Sequence, residues 1–254
     1  MLRDTRADQA YFDDVVEYLT TRCESNDRRF DRPVEKWADP KMIGQVAGDV
    51  MKQRWDRFSA LYSQGASVEV LRADFDVVLS DAERALRLEL EFLSAEHRAV
   101  RFAFGNSKDF YREWLSLVSL ALAFRVDDAT FDRVVAAVRF GWGDRLIDRL
   151  IATRRPEHTV GETLSFPKVV GVLDEAFDAG DPSQKIEKYL KNWYKAWKGV
   201  WGWGGHELVG KRSVYYGYWA FEALGVATAL DIDDTGLRSD EFYPGDLRSA
   251  GVSA

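Results

Sequence analysis

The sequence predicts an all-α fold, a multi-helix bundle of about nine or ten helices with an irregular C-terminal tail. Three observations predict it. Apolar residues recur at helical spacing through nearly the whole chain. Alternating runs of the kind that form half-buried strands are almost absent. Gly, Pro, Ser and Asp fall between the periodic stretches, where helices start and stop.

Residues 5–26 place Tyr11, Val15, Val16, Leu19 and Cys23 on one stripe, and 40–64 carry Ile43, Val46, Val50, Trp55, Phe58 and Leu61. After Gly65, residues 67–94 carry Val70, Leu71, Phe75, Val78, Leu79, Leu86, Leu90 and Leu93. Gly105-Asn106-Ser107 breaks the chain and offers a cap to a helix at 108–124, which is apolar on most sides and therefore central. Asp127 or Asp128 can cap a helix that runs through Val138, and 142–154 reads as a short helix with Leu146, Ile147, Leu150 and Ile151. Pro167 suits the first turn of a helix reaching Phe177. Ala179-Gly180-Asp181-Pro182 ends that helix and starts the next, so 183–198 and 206–230 read as the last two. Turn signals at Thr235-Gly236 and Pro244-Gly245 mark the tail. The loop at 153–166 has no clear period and divides the chain into an N-terminal helical domain, 1–155, and a C-terminal one, 156–254, expected to pack as one unit. No internal repeat or low-complexity tract is present.

Composition narrows the function classes. Among 254 residues, 35 Lys and Arg face 42 Asp and Glu, for a net charge of −7. That argues against a strongly basic nucleic-acid binder, and 46% apolar residues argue against disorder. Cys23 is the one cysteine, so no intramolecular disulfide can form, and its helical face marks it as a buried apolar residue. His97, His158 and His206 show no metal-ligand spacing, and no HExxH, CxxC or G-x-S-x-G motif occurs. No catalytic, cofactor-binding or metal residue is assigned. The charged N-terminal stretch is not expected to act as a signal peptide, and the most apolar run, Trp114 to Phe124, is shorter than the ~20 residues a membrane span needs. The expected location is the cytoplasm.

Four stretches carry alternatives. Residues 182–212 are locally +5 and rich in Tyr and Trp, a pattern that single-strand nucleic-acid binders use. Yet Ile186, Leu190, Trp193, Trp197 and Val200 fall on one helical face, and Lys185, Lys188, Lys191, Lys195 and Lys198 on another. That favours an amphipathic helix with a solvated lysine edge. The glycine-rich 199–205 lacks a phosphate-cradle motif and reads as a sharp turn. Asp231, Asp233 and Asp234 could serve a metal-assisted enzyme, bond backbone donors in a loop, or meet a basic partner. Residues 231–254 carry a net −4, with Asp240, Glu241 and Asp246 adding to that patch. Glu222 sits in a helix beside Tyr218, Trp219 and Val226, where a buried carboxylate must find a donor or cost several kcal/mol. A core anchor is favoured there over a catalytic acid.

The run Tyr216-Gly217-Tyr218-Trp219-Ala220-Phe221-Glu222, followed by Asp233-Asp234, Tyr243-Pro244 and Asp246-Leu247, resembles the C-terminal domain of PoNi-type immunity proteins. Tyr189-Leu190-Lys191, Trp193-Tyr194 and Trp201 look like the same domain, and Tyr11-Phe12 fits the family's N-terminal helical domain. Gly245 departs from the pattern, which has a longer polar residue before Asp246. The resemblance implies an all-helical, non-enzymatic immunity protein. Such a protein blocks, by direct binding in the producing cell, a PoNe-type DNase toxin of the kind delivered into rival bacteria, often by type VI secretion. Together with the charge, motifs and hydropathy above, no cofactor, no direct nucleic-acid partner and no membrane are expected, and a homodimer stays open. The motif residues Tyr216, Gly217, Tyr218, Trp219, Phe221, Glu222, Tyr243, Pro244 and Leu247 are expected to hold the fold. Partner contacts are expected on Asp231, Asp233, Asp234, Asp240, Glu241 and Asp246. The excess acid is diffuse, −4 over residues 1–127 and −3 over the rest, so no single DNA-mimicking patch stands out.

Overall fold

Asp8, Ser67, Ser107, Asp144 and Asp181 each accept a hydrogen bond from a backbone N–H two or three residues on, and each starts a helix. Asp127 does the same through the Thr130 N–H at 2.8 Å. The computed structural model describes residues 1–138, 143–211 and 214–249. Its helices are α1 (Gln9–Phe30), α2 (Lys41–Gln64), α3 (Val68–Phe92), α4 (Ala95–Arg101), α5 (Lys108–Ala123) and α6 (Asp128–Val138). There follow α7 (Arg145–Ala152), α8 (Pro167–Asp174), α9 (Pro182–Leu190), α10 (Trp193–Ala196), α11 (Phe221–Ala229) and α12 (Asp246–Ser249). Among the described residues there is no strand, and ten helices have seven or more residues. The fold is all-α, as the periodicity predicts.

Four boundaries differ from the sequence reading, each for a local reason. The first helix is shifted to 9–30, because Asp8 caps it and nothing stops it before Asp31. The stretch 95–101 is an additional helix with no buried residue, so it leaves no apolar stripe to read. The expected helix 183–198 breaks after Leu190, where the Asn192 side chain donates to the Lys188 carbonyl and ends the turn. The expected helix 206–230 begins only at Phe221. Upstream, Gly217 takes φ +104, and backbone groups turn to distant partners: Tyr215 N–H donates to the Tyr11 hydroxyl and Ala220 N–H to the Phe242 carbonyl. Residues 142, 212 and 213 of the expected helices lie outside the described residues.

The chain divides into two compact units, neither continuous in sequence: Met1–Arg101 with Gly202–Tyr218, and Phe102–Trp201 with Trp219–Ala254. In the first, α2 packs along α1 and α3, burying Phe12, Val15, Leu19 and Cys23 against Val50, Phe58, Leu71 and Phe75. Burial pushes the Cys23 thiol up to about 11, which makes it a packing residue rather than a nucleophile. Gly44 lets α2 approach α3, since a Cβ there would lie 3.2 Å from Glu89 Cα. Along the same seam, Arg54 bridges Asp27 and Asp81 at 2.6 Å each, and Arg101 pairs with the buried Glu89 at 2.8 Å.

Segment 202–218 closes this unit. The Tyr11 hydroxyl donates to the Tyr215 carbonyl at 3.2 Å, the Ser63 hydroxyl to the Tyr216 carbonyl at 2.9 Å, and the Tyr215 hydroxyl to buried Asp4 at 2.5 Å. Burial and the neighbouring Asp4 charge raise the Tyr215 hydroxyl above the usual tyrosine range, so it stays a donor. Tyr215→Phe leaves Asp4 buried with one donor fewer and is expected to lower stability by about 1–3 kcal/mol. Urea unfolding measures it, and an unchanged midpoint would show that the bond carries no net energy.

In the second unit, α5 is buried on nearly every side, as its apolar circumference predicts. Against it packs α11, with Gly225 facing Ser119. Asp144 accepts from the Tyr111 hydroxyl and from the Leu146, Ile147 and Ser165 N–H groups, fixing the start of α7. Asp174, at the end of α8, is held by Arg145 at 2.5 Å and Arg149 at 3.6 Å.

Candidate functional site

The C-terminal stretch that carries the sequence motifs is built around two buried carboxylates, both in the second unit. Glu222 stands in the first turn of α11 and is 0% exposed. Its Oε1 accepts from the Tyr189 hydroxyl and from Trp193 Nε1, each at 2.5 Å. Trp197 Nε1 in turn donates to the Tyr189 hydroxyl at 2.9 Å. One carboxylate thus ties α9 and α10 to α11. Burial raises the Glu222 carboxyl above the usual glutamate range, although both donors favour its charged form. The donors are not Tyr218 and Trp219, its neighbours in sequence, but residues of the basic-aromatic stretch.

Asp234, 3% exposed, is the second. It accepts from the Tyr243 hydroxyl at 3.0 Å and pairs with Arg238 at 2.9 Å. Its companions in the acidic run behave otherwise. Asp231, with φ +47 and a side chain 90% exposed, pairs with Arg248 at 3.1 Å. Asp233 is exposed and accepts from the Thr235 N–H and hydroxyl at 3.0 and 2.6 Å, bonds that hold its carboxyl below the usual range. Three aspartates within four residues therefore have three different sets of partners. Among the described residues, no group of three or more His, Cys, Asp or Glu side chains could hold a metal ion. Asp240 is half-buried and accepts from the Phe242 N–H at 2.9 Å, while Glu241 and Asp246 are exposed. The exposed acids are thus Asp231, Asp233, Glu241 and Asp246, with Asp240 half-buried and Asp234 buried.

Two family models match the chain: the N-terminal model of PoNe immunity proteins (PoNi) over residues 3–136, and the C-terminal model over residues 142–247. The chain belongs to the PoNe immunity protein family. A solved structure with the same fold is that of protein PA2201 from Pseudomonas aeruginosa. It shares 19% identity, covers 98% of this chain and 92% of its own, and superposes with a TM-score of 0.71. No curated protein matches the chain.

Of the motif residues expected to hold the fold, all but the half-buried Tyr216 and Gly217 are buried. Tyr218 is buried in the first unit, its hydroxyl 2.8 Å from His206 Nδ1 and its ring 4.8 Å from that of Tyr215. Tyr216 and Gly217, half-buried and outside any helix, lead into it, with Gly217 at φ +104. Trp219, Phe221, Tyr243, Pro244 and Leu247 are buried in the second unit. Phe242 packs 5.0 Å from the Trp193 ring and stacks on Tyr194 at 6.2 Å. The departure at Gly245 has a steric cause here: a Cβ would come within 2.9 Å of both Arg238 Cγ and Tyr243 Cε1. Any side chain there would displace the two residues that hold Asp234.

Missed by the sequence reading were Arg238 and Arg248, which organise the acidic run from inside it. The signal was present as an i, i+4 pair, Asp234 with Arg238.

Proposed function

We propose that the protein neutralises a cognate DNase toxin by direct, stoichiometric binding in the cytoplasm of the producing cell, with the exposed acids of residues 231–246 contributing to the contact. The family match over both parts of the chain carries this reading. The geometry supports it. Buried Asp234, Tyr243 and Leu247 fix the segment, and the exposed acids project from that support. A DNase must present a cationic surface to phosphates. Acids held in place can steer to such a surface and cover it without further ordering.

Co-purification with the toxin encoded beside it tests the reading. A stable one-to-one complex and protection on co-expression are expected. Failure of the purified pair to associate would sink it. Within the complex, the triple variant Asp233→Asn, Glu241→Gln, Asp246→Asn is expected to slow association about tenfold or more at low salt. Its salt dependence should flatten as well. An association rate equal to the parent's would move the contact elsewhere on the surface.

A further inference from the structure

Between the start of α8 and the α9–α10 corner, the second unit holds a cavity of about 690 Å³. Lys108, Lys168, Lys188 and Lys195 line it, and among the described residues no carboxylate does. In a chain of net charge −7 this is a local reversal of sign.

The lysines divide by partner. Lys185 and Lys191, which do not line the cavity, are paired with Glu175 and Glu187 at 2.5 and 2.6 Å. Lys168 and Lys195 have no such partner among the described residues, while Lys188 makes no close ion pair but lies near enough to Glu175 to help hold that carboxyl below its usual range. Lys108 is anchored to the wall by the Ala196 and Lys198 carbonyls, 3.3 Å from each, contacts that leave its charge unbalanced. Four ammonium groups around one concavity repel each other until an anion enters. The rest of the lining is mostly apolar or aromatic, Phe166, Pro167, Val169, Val172, Tyr189 and Ala196, with Ser165 and Asn192 as its neutral polar groups.

We propose that this cavity binds a small organic phosphate with a flat ring, a ligand of the nucleotide class, its phosphates on the lysines and its ring against the Phe166–Val172 wall. Lysine is a point-charge binder of phosphate, and four of them call for more than one negative charge. The volume lies in the ~300–1,000 Å³ range of small-molecule sites. A cationic nuclease surface would be repelled here, so this site stands apart from the proposed toxin contact, and its test does not involve the toxin.

Titration calorimetry of the full chain with ATP at low salt tests it, with AMP, adenosine, inorganic tripolyphosphate and a short single-stranded oligonucleotide as comparisons. One saturable site for ATP is expected, weakening as salt rises from about 50 to about 200 mM. AMP and tripolyphosphate are each expected to bind about tenfold less tightly than ATP, one for want of charge and the other for want of a ring. The double variant Lys188→Gln, Lys195→Gln, both exposed positions, should weaken ATP at least about tenfold with unchanged circular dichroism. Val172→Trp should block the cavity without removing charge. The proposal is overturned by absence of saturable ATP binding, by ATP binding that both variants leave intact, or by tripolyphosphate binding as tightly as ATP. Preference for the oligonucleotide over ATP also overturns it, in favour of a nucleic-acid strand.

Discussion

Glu222→Ala is expected to destabilise the protein by about 3–5 kcal/mol, because it leaves two buried donors without an acceptor at ~1–3 kcal/mol each. Those donors, the Tyr189 hydroxyl and Trp193 Nε1, belong to α9 and α10, so the loss falls on the packing of three helices. Glu222→Gln keeps a carbonyl oxygen at the Oε1 position and is expected to cost only about 1–2 kcal/mol. Guanidinium unfolding of the three proteins checks the order.

The pH dependence separates charge from shape. Burial raises the folded-state value of the Glu222 carboxyl above its unfolded value, so in the intervening window the folded protein keeps a proton that the unfolded chain has released. Stability from this group is therefore full below the unfolded value near 4.5 and is lost as pH rises through the folded one. Glu222→Gln removes the titration. Stability measured from the ordinary glutamate range upward should fall less steeply in that variant than in the parent. Equal slopes would mean that Glu222 titrates normally and that its burial carries no charge penalty.

The helices were legible because burial imposes a period on the sequence, and the errors come where burial does not act through the period. Helix α4 buries nothing, so residues 95–101 look like a linker. Residues 214–220 are as apolar as a helix, yet Gly217 at φ +104 and the tertiary bonds of Tyr215 and Ala220 keep them out of one. Nothing local announces bonds to Tyr11 or Phe242. The same limit applies to the site. An apolar face marks Glu222 as a core anchor, but its donors lie 33 and 29 residues away and could be found only by folding the chain. Asp231, Asp233 and Asp234 read alike as letters; a positive φ, a local turn and a tyrosine nine residues on make them an exposed ion pair, a turn acceptor and a buried brace. Lysines spaced along one edge likewise conceal which are neutralised by Glu175 and Glu187 and which surround a cavity.

Gly225→Ala is expected to cost about 3 kcal/mol, the upper end of what overpacking a core usually costs. On an isolated helix the same change would help by ~1 kcal/mol, since alanine is the better helix former. Packing reverses the sign. An added Cβ would lie well inside contact distance of the Ser119 Cβ and Oγ, and 2.7 Å from Ser119 Cα. The last atom is backbone, so no rotamer change on α5 relieves the clash, and α11 must move away from it. The Ser119 hydroxyl is committed as well, donating to the Leu115 carbonyl at 2.7 Å. Ser119→Ala would remove that bond yet keep the offending Cβ, and it is expected to leave Gly225→Ala unrescued. Ser119→Gly removes the Cβ itself. The double variant Ser119→Gly, Gly225→Ala should regain about 1 kcal/mol relative to the sum of the single changes, since the contact with the residue 119 Cα remains, within the ~0.5–3 kcal/mol range of contacting residues. Chemical denaturation of the complete cycle measures the coupling. A neutral Gly225→Ala, or a double variant no better than additive, would show that α5 and α11 do not meet at this pair of small residues.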